Sequence, residues 1–316
     1  MQTNQQVRKD IGLFSALCLL YVIVMAMVGL IYQTIVTLFQ ASRYFGNLEK
    51  IQKATENFMA RDGSYYLIAV CAGVFIFWVY RDGKLFKSDL RMQKRAMTSK
   101  TFGIVLSFLL LGQLGFVLFN QIFETIFNLF GFTMLKAVES ASAGSDSVSM
   151  FLYASFFGPV SEELIFRGAG LRTFEKYGKI FAILMSSLLF GLFHGNFPQF
   201  FFATFVGIIF SYVTLEYSIL WAMAFHIFNN LVIGDGLTYV YSFLPDSAAS
   251  LLHLIILLIG ASIAAIFLFK NKTDIKRYVQ ENYAYPGTYR QAFRSVWFWL
   301  FACLMCLTSL TLIRHL

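Results

Sequence analysis

The sequence predicts an all-α fold, a polytopic transmembrane helical bundle of about nine spans, within a range of eight to ten. Three observations carry this. Apolar residues make up 58% of the 316 and charged residues only 13%, about half the charged share of a soluble domain. Apolar runs near the ~20-residue length of a membrane helix recur along the chain. The basic residues also fall unevenly between the segments that join those runs. Mean hydropathy of +0.66 and 37 phenylalanines agree with the first point. They exclude a disordered chain, a disulfide scaffold and an ordinary soluble enzyme, because one soluble core could not hide so much apolar surface.

In chain order, the first run is Ile11 to about Gln40, long enough to tilt or project beyond a bilayer. It is about twice as long as a signal-peptide core and no small-residue cleavage site follows it. The second is Ser64–Tyr80 and the third Thr101 to about Phe130. The fourth runs from near Val148 to near Arg172, the fifth over about Gly178–His194, and the sixth over Gln199–Leu215. The seventh is about Ser218–Ile233, the eighth Leu251–Phe269 and the ninth Val296–Ile313. With the N-terminus placed inside, 18 of the 25 Lys and Arg residues fall in inner segments, 6 in outer ones, and Arg167 lies in a span. This split follows the positive-inside rule. The net charge of +8 is therefore a topology signal, suited to anionic lipid headgroups. Nucleic-acid binding is excluded, since no basic, aromatic-interleaved module stands outside the apolar runs.

Three parts are expected: accessory helices and loops over 1–147, a compact unit with short connections over 148–235, and C-terminal helices with a basic inner loop over 236–316. The segment 131–147, rich in small polar residues (Ser140, Ser142, Gly144, Ser145, Ser147), is expected to be a flexible outer loop, and Lys270–Arg294 a polar inner one. Cys18, Cys71, Cys303 and Cys306 lie inside apolar runs and are expected as buried small apolar residues.

Charged groups inside apolar spans are costly and mark function by default. Here they concentrate in the middle unit. The fourth run carries Glu162, Glu163 and Arg167, the fifth ends at His194, and the seventh carries His226 and Asn230. Glu163 and Arg167 stand at i and i+4, so they share a helix face and can form an ion pair. Adjacent residues point about 100° apart, so Glu162 and Glu163 are not expected to face one site together. Glu162 is then the unpaired carboxylate, which desolvation tunes toward a general base. Pro159 cannot donate to the Ser155 carbonyl, and a kink there is expected to free an acceptor and admit water. His226 and Asn230 are again i and i+4. Imidazole can bind a metal or donate a hydrogen bond, and an Asn amide can stabilise an oxyanion. Gly191 and Gly195 flank His194 in a small-xxx-small pattern that permits close helix approach.

Glu162-Glu163-x-x-x-Arg167, Phe190-x-x-x-His194 and His226-x-x-x-Asn230 resemble the three motifs of the CPBP intramembrane proteases. These include the type II CAAX prenyl endopeptidases and the bacteriocin-processing and immunity group. The resemblance covers about residues 148–235. It implies an intramembrane endopeptidase, expected in the plasma membrane of a bacterium, and the basic-residue split places its N-terminus on the cytoplasmic side. Glu162 is then the base that activates water, with Glu163 and Arg167 supporting the site. His194 and His226 position the water or the oxyanion, Asn230 stabilises the oxyanion, and Phe190 packs. The family is described both as a metalloprotease and as glutamate-dependent. Glu162, His194 and His226 suit a divalent metal such as Zn²⁺. A metal-independent Glu/His/Asn mechanism is favoured, and no cofactor is assigned. The implied substrate is a peptide or membrane-anchored protein, and the motifs report peptide-bond chemistry rather than a neighbouring prenyl group. A leader peptide, pheromone or small membrane protein is favoured. The alternative is a non-proteolytic regulator or bacteriocin-immunity protein that binds a membrane partner such as a sensor kinase or secretion component. A transporter is the third reading, weakened by the lack of repeated halves.

Overall fold

The structure is a computed structural model that describes residues 2–141 and 147–316. Helix dominates. In chain order the helices are α1 (Gln2–Arg43), α2 (Leu48–Arg61), α3 (Ser64–Tyr80), α4 (Lys84–Lys87), α5 (Ser99–Leu129) and α6 (Leu135–Ala141). They continue with α7 (Val148–Leu152), α8 (Gly158–Glu162), α9 (Arg172–Phe174), α10 (Lys179–Phe193), α11 (Phe197–Glu216) and α12 (Ile219–Ile227). The last are α13 (Leu237–Tyr241), α14 (Asp246–Lys270), α15 (Lys272–Glu281), α16 (Thr288–Ala292) and α17 (Val296–Leu310). Three stretches are wound as π-helix: π1 (Tyr153–Phe157), π2 (Glu163–Leu171) and π3 (Phe228–Gly236).

Polar caps set where helices begin. The side chains of Asn47, Thr98, Ser147, Asn196, Ser218 and Ser295 each accept from a backbone N–H three residues on. Each satisfies a donor that the first turn would leave orphaned.

All nine apolar runs contain helix, but they are not nine long helices. Among the described residues four helices are long and apolar enough to cross a membrane: Gln5–Arg43, Ser99–Leu129, Phe197–Glu216 and Asp246–Lys270. The α2 and α3 pair, bent by 55°, makes a fifth if it is counted as one span. Two physical reasons account for the difference. α10 and α17 have 15 residues each, about 22 Å at 1.5 Å per residue, short of a ~30 Å hydrocarbon core. The fourth and seventh runs are divided by the π stretches, so their α-helical pieces are brief.

Three further expectations are corrected. The segment 131–147 is not a plain loop: Phe132–Thr133 pairs antiparallel with Arg314–His315, and α6 follows. This ribbon, β1 with β2, departs from a purely α fold. Ser142, Gly144 and Ser145 lie outside the described residues. The inner segment Lys270–Arg294 carries α15 and α16. Of the cysteines only Cys18 is buried, while Cys71, Cys303 and Cys306 are exposed, and all four are free.

Contacts between the polar segments sort them into two groups. In one, Glu216 meets Lys179 at 2.7 Å, Arg95 at 3.5 Å and the Tyr278 hydroxyl at 2.9 Å. In the same group Asp10 accepts from Tyr177 at 2.6 Å and pairs with Lys176 at 2.6 Å. In the other, Asp62 accepts from Ser149 at 2.7 Å, Asn196 donates to the Ala137 carbonyl at 2.9 Å, and β1 meets β2. The partners in each group are those the alternating topology assigns to one side. Between the groups lies an aromatic core in which Phe14, Phe77, Phe166, Phe174 and Phe190 are fully or almost fully buried.

Candidate active site

The fourth run holds the centre of the site. It continues as one helical rod from α7 to α9, with right-handed helical backbone angles at each junction. Pro159 therefore makes no sharp kink. π1 precedes it, and the Gly158 N–H bonds the Tyr153 carbonyl, five residues back. In that register the Ala154 carbonyl would pair with residue 159, and proline has no N–H. The acceptor that Pro159 releases is thus Ala154 rather than Ser155. Asn230 Nδ2 caps it at 3.0 Å.

Glu163 and Arg167 are both fully buried and form the expected ion pair, Nη1 to Oε1 at 3.2 Å. The Arg167 guanidinium lies 4.2 Å from the centre of the Phe190 ring and 5.6 Å from that of Phe210. These ring faces replace much of the solvation a buried cation loses. Gly207 makes room for it: a Cβ there would stand 3.0 Å from Nη2.

Both glutamates meet His226, against the expectation that only one would face the site. His226 Nδ1 lies 2.9 Å from Glu163 Oε1, and Nε2 lies 3.6 Å from Glu162 Oε2. The reason is the shape of imidazole, whose two nitrogens point to opposite sides. A ring inserted edge-on between neighbouring carboxylates can address both. Phe210 stacks on the ring at 4.9 Å and 27°, while Phe190 stands edge-on at 5.9 Å. Because the Glu163 carboxylate accepts, His226 Nδ1 carries the proton and Nε2 faces Glu162.

His194 sits at the C-cap of α10. Its Nδ1 lies 2.9 Å from the Phe190 carbonyl, so this nitrogen donates and Nε2 is left for the site. Its ring meets Phe190 edge-on at 4.9 Å, and the charges of Glu162, His226 and Arg167 all act on it. Gly191 serves the close approach expected of it. A Cβ there would collide with Thr204 Oγ1 and stand 2.7 Å from the Phe200 carbonyl of α11. Gly195 serves differently. Its φ of +54° makes the turn between α10 and α11, a conformation that suits glycine.

Asn230 and His226 take different hydrogen-bond partners, although i+4 spacing suggested one face: His226 bonds Glu163 and Asn230 bonds the Ala154 carbonyl. The helix widens to π3 at Phe228, which turns Asn230 toward π1. Its Oδ1 accepts from Asn229 Nδ2 at 3.1 Å. Among the described residues no group of three His, Cys, Asp or Glu side chains could hold a metal ion. Each histidine nevertheless has one nitrogen held by an oxygen acceptor, as metal-bound histidines do.

Sequence reasoning missed several neighbours. Phe210 walls His226, Tyr21 of α1 and Tyr153 of π1 lie within electrostatic reach of Glu162, and Asn229 bonds Asn230. Only Gly207, a small residue in a bulky run, hinted at a guest beside α11. A cavity of about 390 Å³ lies between α3 and the rod of the fourth run, lined by Val70, Val74, Trp78, Phe157, Val160 and Leu164 among others.

Residues 144–232 match a family described as type II CAAX prenyl endopeptidase Rce1-like. The matched segment, under a third of the chain, is similar to that family. The Rce1-like segment contains all six site residues, from Glu162 to Asn230. No curated protein and no solved structure matches the chain. The Rce1-like family is one of proteases, and with the long apolar helices the chain is an integral membrane protein.

Proposed function

We propose that the chain is an intramembrane endopeptidase in which Glu162 activates water for attack on a peptide carbonyl. One observation carries this reading: the fully buried Glu163–Arg167 pair holds His226, and His226 in turn faces the half-buried Glu162. A nucleophile, a base and an orienting group are the parts hydrolysis requires. Glu162 takes a proton from water, and the hydroxide oxygen bonds the scissile carbon. The carbonyl electron pair moves onto oxygen, and one N–H of Asn230 donates to it. Collapse of the intermediate breaks the C–N bond, and the proton held by Glu162 passes to the departing amine. His226 Nε2, the acceptor nitrogen of the ring, faces Glu162 and accepts from it while that carboxyl holds the proton. His194 Nε2 accepts a hydrogen bond from the water in its neutral form. Removing one oxyanion donor typically costs about 10²–10³ in kcat.

The matched family acts on CAAX sequences beside a prenyl group, and the apolar cavity next to Ser161 and Leu164 suits an apolar attachment on a substrate. The metal question is answered by its own measurement: purified wild type and His194→Ala are analysed for bound divalent metal.

The deciding experiment is Glu162→Gln. Cleavage of a membrane-anchored substrate should fall to background while the protein stays folded and inserted. Trapping with this variant should retain uncleaved substrate. Full activity in it would overturn the reading, and complementation of a deletion strain by it would favour a binding role.

A further inference from the structure

Asn230 is one end of a chain of amides that begins outside the matched segment. Gln113 of α5 donates through Nε2 to Asn229 Oδ1 at 3.1 Å. Asn229 donates to Asn230 Oδ1 at 3.1 Å, and Asn230 donates to the Ala154 carbonyl at 3.0 Å. Gln113 is half-buried and Asn229 is buried.

The direction of this chain is forced from one end. A backbone carbonyl only accepts, so Asn230 must turn its NH₂ toward Ala154. Its Oδ1 then faces Asn229, which must donate, and the Asn229 oxygen is left to face Gln113, which must donate in turn. Each amide has one acceptor oxygen and two N–H donors. Two of the three groups on Asn230 are thereby committed, and a single N–H remains with a fixed direction. The carbonyl that anchors the chain is available because of π1 and Pro159. The other anchor is α5, a separate helix packed on α11 and α14.

We propose that Gln113 is a positioning residue for Asn230, acting through Asn229, so that α5 aims the one amide N–H left to meet the oxyanion. This rests on the proteolytic reading above. Asn230 sits in a π turn, which provides no regular i+4 neighbour to hold it. An oxyanion donor works only when held close to its productive geometry. A misplacement of about 1 Å is enough to cost roughly 10²-fold.

The test uses the full chain in lipid vesicles with a quenched fluorescent farnesylated CAAX peptide. Gln113→Met removes the donor at nearly constant length. Asn229→Asp keeps the acceptor toward Gln113 but sets an oxygen against Asn230 Oδ1. We expect kcat to fall about 5–10-fold and about 30–100-fold respectively, with KM within about twofold. In an Asn230→Ala background neither change should lower kcat further, because residues acting as a unit are non-additive. Equal fold losses in both backgrounds, a change in KM alone, or unchanged activity in both variants would overturn the proposal. Should wild type fail to cleave this peptide, the proteolytic reading fails for that substrate and the relay is read from thermal midpoints. Gln113→Met should then shift the midpoint less in the Asn230→Ala background than in wild type, and additive shifts would overturn it.

Discussion

The ion pair beneath the site gives the sharpest quantitative test. Glu163 and Arg167 are both 0% exposed and 3.2 Å apart. Removing one partner leaves the other charge buried without compensation, at a cost of about 3–5 kcal/mol. Replacing both by shapes of similar volume is far cheaper, since such swaps are often neutral. The double variant Glu163→Gln/Arg167→Met also loses the cation–π contact with Phe190, about 2 kcal/mol in a desolvated setting. The amide oxygen that this variant places at position 163 would still accept from His226. At about 2 °C per kcal/mol for a chain of this size, each single change should lower the thermal midpoint by about 6–10 °C. The double change should lower it by no more than about 4 °C. Unfolding followed by tryptophan fluorescence at a fixed detergent and lipid ratio reads all four proteins. A double variant that falls by the sum of its singles would refute the reasoning, because the two charges would then not compensate each other.

The remaining predictions follow the same logic. Gly191→Ala should force α10 and α11 apart, costing about 1–3 kcal/mol, seen as a lower midpoint. Tyr177→Phe deletes the bond to the Asp10 carboxylate, 2.6 Å long, and should cost about 1.5–3 kcal/mol without changing kcat. Under the proposed mechanism, Glu162→Gln should abolish cleavage while keeping the wild-type midpoint within about 2 °C, since Glu162 is half-buried and lies outside the core.

Much of this architecture was legible in the residues. Apolar runs marked the helices, and polar residues before them, such as Ser218 and Asn196, became the caps. The i+4 spacing of Glu163 and Arg167 foretold their pair because both lie on one helix face. What the residues did not disclose depends on contacts between segments. The π stretches are set by tertiary packing, so no local pattern announced that Asn230 would turn toward Ala154. The clamp of two glutamates on one histidine needed the position of α12, 63 residues away from Glu163. Span length was misjudged for a related reason. An apolar run in the interior of a bundle, such as Lys179–Phe193, is buried by its neighbours and needs no full bilayer length.

The π turns bear on how this chain can change over generations. Each holds one more residue per hydrogen-bonded ring than an α turn, as if a residue had been inserted into an older helix. Losing a residue from Tyr153–Phe157 would let the rod close into ordinary α winding. Everything beyond would then keep nearly its former setting, since five π-wound residues turn the chain about as far as four α-wound ones, whereas a residue lost from the α turn Gly158–Glu162 would rotate everything beyond by about 100° and carry Glu163 and Arg167 away from His226. Surface connections elsewhere in the molecule can gain or lose residues at little cost. In that α turn length itself is under constraint, and a single deletion that spares every site residue should be as damaging as removing one of them.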